Sequence, residues 1–238
     1  MNPDHAPSRD PARIGLSVLV LALAAALVAM AWPRLRASIA YLPVDTALAR
    51  HWSGTTPPPD QLAALSERAT RAIDLHDHYR YRDGLSILAY LRAQAPGLSP
   101  DQRRALLAAS GEAAIESVRQ APMKPAGWLR VALARQYLGE APASIAAPLL
   151  MSVYTGRVEP TLQLLRLAVL YDLQRHLDDN GRRLLLDQTL LTWQLQPREL
   201  VREIRSGRIP YDRIAGVLAR AHPGVLGDID EVMRGTVR

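Results

Sequence analysis

The sequence predicts an all-α protein, with an N-terminal transmembrane helix followed by a right-handed array of antiparallel helix pairs. Three observations carry this reading. Nearly a third of the 238 residues are Ala or Leu, both strong helix formers. From residue 60 onward, apolar residues recur at three- and four-residue steps with no strand-like alternation. Pro stands at the head of segment after segment, where its missing N–H costs a helix nothing.

The first element is the span. Ile14 to Trp32 is a run of nineteen uncharged residues with one hydroxyl, about 28 Å as a helix, close to the hydrocarbon thickness of a bilayer. Residues 1–13 form a polar tail, expected in the cytoplasm. Trp32, Arg34 and Arg36 mark the far interface. Ala29-Met30-Ala31 also fits a leader-peptide cleavage site, but the apolar run is longer than a leader's core, which favours an uncleaved anchor. Two Arg precede the span and two follow it closely. The free N-terminal amine tips the orientation toward a periplasmic C-terminal side in a bacterial inner membrane.

Residues 33–59 read as a juxtamembrane helix interrupted by Pro43, then a linker whose three consecutive prolines favour an extended spacer. The helical domain is expected over 60–238. Gln61 to Tyr79 carries an amphipathic stripe, and a second helix continues through Leu85, Leu88 and Leu91. Ser99-Pro100-Asp101-Gln102 combines a capping Ser, a first-turn Pro and the Gln of a capping box. Pro125, Pro142 and Pro160 open three further helices, Asp178 caps another, and Pro197 and Pro210 begin two short ones. Loops of a few residues make the neighbours antiparallel.

Composition narrows the chemistry. There is no Cys, hence no disulfide, thiolate metal site or cysteine nucleophile. The net charge of +6 is spread evenly, an excess of two in each of 1–52, 53–156 and 157–238. Nucleic acid requires a clustered basic footprint that displaces counterions together, and none is present. His76-Asp77-His78 looks metal-like, yet residues two apart on a helix point to different faces. Asp178 near His176 reads as an N-cap. No phosphate loop or nucleophile elbow occurs. No catalytic residue, metal or cofactor is expected.

Ala121 to Pro160 resembles a tetratricopeptide repeat. It has a Pro-ended turn, Trp128 near the start of its first helix, Leu138-Gly139 at the hairpin and Pro160 at the exit, near the 34-residue period. Arg135 at a usual aromatic position and Pro148 inside the second helix depart from the motif. The resemblance implies a tetratricopeptide-like α-solenoid that binds protein partners on its concave face. Trp128, Ala132, Gly139 and Ala143 would pack the repeat, and Arg130, Gln136, Gln163 and Arg166 would face the groove. The expected function is a membrane-anchored scaffold or adaptor of the bacterial cell envelope, with protein partners and with membrane lipid around residues 14–32. By analogy it would accompany surface-polysaccharide or secretion machinery. An envelope enzyme with its site in the groove is the competing reading.

Overall fold

The computed structural model describes residues 11–235, and the side chains of 15–235. Residues 1–10, most of the expected cytoplasmic tail, lie outside that range. Among the described residues the protein is all-α, without a strand. In order the helices are α1 (Pro11–Trp52), α2 (Pro59–Leu75), α3 (Tyr79–Ala93), α4 (Pro100–Gln120), α5 (Pro125–Tyr137), α6 (Pro142–Thr155), α7 (Pro160–Asp172), α8 (Asp179–Leu195), α9 (Pro197–Arg205), α10 (Tyr211–Ala221) and α11 (Pro223–Arg234), with a short 3₁₀ turn at Gln174–His176. Each packs chiefly on its neighbours in sequence, and α1, α3, α5, α7 and α9 also touch in succession.

Local chemistry sets the boundaries. The Ser99 hydroxyl accepts the Gln102 N–H at 3.2 Å while the Gln102 side chain accepts the Ser99 N–H at 2.9 Å, closing the expected capping box of α4. Asp178 Oδ1 accepts the Gly181 N–H at 2.7 Å at the head of α8. Gly139, at φ +71°, ends the α5 hairpin turn in the left-handed region, and the Glu140 N–H reaches back to the Arg135 carbonyl. α11, around buried Ile229, has no counterpart among the helices expected from sequence.

The expected division at residue 60 does not match the packing. α1 runs without a break through Pro33 and Pro43, 42 residues in all, about 63 Å long. A proline inside a helix costs about 3 kcal/mol. Here Ala37, Tyr41, Val44 and Leu48 lie buried on both sides of Pro43, packed with Leu62, Ala69 and Leu88. The Ala37–Trp52 half of α1 is therefore part of the folded domain, and Ser53–Pro58 is a tight connection to α2. Arg80 to Gly84, which lie between the two helices expected at 61–79 and around Leu85, form the first turns of α3. α1 is the one described helix long and apolar enough to cross a membrane, by a criterion that a leader sequence also meets; none of its apolar window is buried.

Two larger cores result, one joining α1, α2 and α3, the other running from α5 to α11. A small cluster of Ala114, Val118 and Val131 bridges α4 and α5. Close approach depends on small residues: a Cβ on Gly127 would fall 2.6 Å from Val118.

Candidate functional site

Alternate helices build one open groove. The end of α1, the middle of α3, the length of α5 and the start of α7 enclose a cavity of about 190 Å³ lined mainly by apolar side chains. Leu129, Leu133 and Leu162 form its floor, Tyr90 and Tyr137 one wall, and Trp52 and Leu165 stand exposed at its edge. The two tyrosine hydroxyls lie 3.2 Å apart with their rings tilted against one another. Burial, followed by the hydrogen bond with Tyr137, pushes the Tyr90 hydroxyl above the usual phenol range. Arg130 is the cation at the groove, held by an ion pair to Asp83 of α3; its Nε is buried without a partner. His51 at the end of α1 is fixed through Nδ1 by Thr56 at 2.9 Å.

Of the four residues expected in a groove, only Arg130 is there. Gln136 sits at one end of the helix pair, donating to Asp172 Oδ2 at 3.0 Å. Arg166 and Gln163 are fully buried, which corrects their expected place on an open face. Arg166 donates from Nε to the Ser152 hydroxyl (2.9 Å), from Nη2 to the Ser152 carbonyl (2.7 Å) and from Nη1 to the Gly156 carbonyl (2.7 Å). It thereby satisfies the Ser152 carbonyl in the last turn of α6 and the Gly156 carbonyl just beyond it. Burial pulls its pKa down to about 10, opposed by Glu159, so the guanidinium stays charged at neutral pH. Gln163 has no hydrogen bond at either amide atom.

The expected packing residues divide likewise. Ala132 is fully buried. Trp128 is half-buried, packed at the edge of the Val118 cluster, and its Nε1 donates to the Pro122 carbonyl at 2.7 Å. Ala143 is exposed; α6 turns Ile145, Leu149 and Val153 inward, so Ala143 lies on its outer side. Tyr137, near the end of α5, is half-exposed and forms a groove wall. Arg135 ties the hairpin together by donating from Nη1 to the Ser144 carbonyl at 2.7 Å.

The metal-like passage resolves into helix punctuation. His76 ends α2, and His78 precedes α3, with its Nδ1 accepting the Arg80 N–H at 3.3 Å. Burial and the nearby positive charges keep the His78 pKa below its ordinary value. Asp77 is taken by Arg82 in a two-bond pair. No group of three or more His, Asp or Glu side chains that could hold a metal comes together among the described residues.

The groove residues Trp52, Tyr90 and Leu165 were missed by the sequence reading. One signal for them exists: α7 carries Leu162, Leu164, Leu165, Leu167 and Leu170, more apolar surface than a single buried stripe uses. Set against known proteins, the chain matches no family model, no curated protein and no solved structure.

Proposed function

We propose that the protein is a membrane-anchored helical-repeat scaffold of the bacterial cell envelope that holds a protein partner in the groove between α1, α3, α5 and α7. The observation that carries this is an open apolar groove built by helices far apart in sequence. Its volume is below the range typical of small-molecule sites and suits inserted side chains. Trp, Tyr and Arg, the residue types that anchor protein interfaces, stand along it. Contact of α1, α3, α5 and α7 in succession supports reading them as the inner row of a tetratricopeptide-like solenoid, a fold whose concave face is its binding surface.

Anchoring rests on the Ile14–Trp32 span, which is one helix with the part of α1 locked into the core. The span stays uncleaved, and the folded domain lies in the periplasm. An accessory place beside surface-polysaccharide or secretion machinery fits this architecture. A photo-crosslinking side chain at Tyr137 or Leu165 in intact cells tests the reading, with exposed Met123 as the control. A discrete protein adduct at the groove positions, lost on Arg130→Ala or Leu133→Arg, is expected. Labelling no stronger than at Met123 overturns it.

A further inference from the structure

α1 closes one end of the helix array with an apolar outer face, where a terminal element needs a polar one to stay soluble. Its inner face, Ala37, Tyr41, Val44 and Leu48, is buried. On the opposite side Leu35, Ile39 and Leu42 are 52%, 63% and 61% exposed, and Thr46 and Ala49 continue the exposed row. These five alternate steps of four and three residues, the spacing of a coiled-coil seam. Inside the span, apolar on every side, the same alternation runs back through Trp32, Val28, Ala25, Leu21 and Val18, all exposed.

We propose that two copies of this chain pair in parallel along the outer face of α1, through one seam that runs from the span to Ala49. The pairing rests on the anchoring proposed above, since two copies entering a bilayer from the same side meet in parallel. Charge selects a second copy as the occupant. With Ile39 at an a position, Asp45 falls at g and Arg50 at the following e, positions that face each other across a parallel pair. Arg50 forms no ion pair among the described residues. Asp45, bonded to Arg80 in its own chain, keeps a third of its side chain exposed. An antiparallel pair sets g beside g and e beside e, so Asp45 and Arg50 would lie on opposite flanks of the seam and could not pair across it. Branched Ile39 and Thr46 at a, with Leu35 and Leu42 at d, favour two strands over three or four.

The lack of Cys makes the test clean. In the full-length chain in native membranes, Leu35→Cys, Ile39→Cys and Leu42→Cys are oxidised singly, with Arg34→Cys and Arg36→Cys beside the seam and Arg104→Cys on α4 as references. Disulfide-linked homodimer is expected to form several-fold faster at the three seam positions. Arg50→Asp should slow linkage at Leu42→Cys, and adding Asp45→Arg should restore it. Full-mass chain in the membrane fraction with seam linkage no faster than at Arg104→Cys overturns the pairing alone. The same holds if the seam cysteines link to lipid-proximal probes or to another protein instead. A shortened, soluble chain overturns anchoring and pairing together.

Discussion

Ser86 and Ser110 each donate a hydroxyl to the other's backbone carbonyl at 2.8 Å, across the contact between α3 and α4. The two oxygens are 3.2 Å apart and both side chains are buried. Nothing larger separates the two backbones here, and each hydroxyl is satisfied without a third partner. Ser86→Ala or Ser110→Ala removes one bond and should lower stability by about 1 kcal/mol. Ser86→Leu must push the helices apart and should cost about 1–3 kcal/mol. Thermal unfolding of the detergent-solubilised chain, followed by far-ultraviolet circular dichroism, reads both. An unchanged midpoint for Ser86→Leu would show that the contact is loose.

Gly84 and Tyr41 form a second close approach. A Cβ on Gly84 would sit 1.8 Å from the Tyr41 hydroxyl oxygen and 2.8 Å from the ring carbon that bears it. The hydroxyl also donates to the Arg80 carbonyl at 3.1 Å. Gly84→Ala should cost about 1–3 kcal/mol by overpacking. Tyr41→Phe in the same chain removes the oxygen but not the ring, so it should recover part of that loss. Full additivity of the two substitutions in the same unfolding assay would contradict the clash.

Gln163 is the reverse case. Its amide is buried with neither atom bonded, a penalty of about 1–3 kcal/mol for a group taken from water without compensation. Gln163→Met keeps the length and removes the polar atoms, so the unfolding midpoint should rise. A fall would mean that the amide contributes a bond in solution.

Acid should weaken the molecule through two exposed pairs. Hydrogen bonds from Arg82 to Asp77, and from Arg157 to Asp187, hold both carboxyls below the usual carboxylate range. A carboxyl depressed in this way adds stability that is complete above the unfolded value near 4. That contribution fades as pH falls through the lower folded value. Asp187→Asn should therefore lower the unfolding midpoint slightly at pH 6, and the gap to the parent should close as the pH falls through the lowered folded value of the carboxyl. A gap that stays constant throughout an acid titration would exclude the titration of Asp187 as its source.

What the sequence disclosed was local. Ser99 with Gln102, Asp178, Gly139 and the initiating prolines act within a few residues of themselves, and each marks the boundary assigned to it from the sequence. The face of a central helix is a different matter. α7 is covered on two sides, so its apolar residues do not single out one stripe, and Arg166 and Gln163 look like ordinary surface groups until α6 and α8 are in place. Pro43 suggests a break because its cost is local, whereas the packing of Tyr41 and Val44 that outweighs it comes from α2 and α3. Trp52 reads as the end of a juxtamembrane segment, and only the return of α5 and α7 turns it into a groove edge.

Because α1 is one unbroken helix, it acts as a ruler. Trp32 at the end of the apolar run and Trp52 at the groove are twenty residues apart on the same rod, about 30 Å along its axis. With the anchoring proposed above, anything seated beside Trp52 would be held at a set height above the bilayer. In that arrangement a tilt of the span moves the seat as well, and the helix positions that can absorb part of the motion are those around Pro33 and Pro43, where proline removes a backbone hydrogen bond.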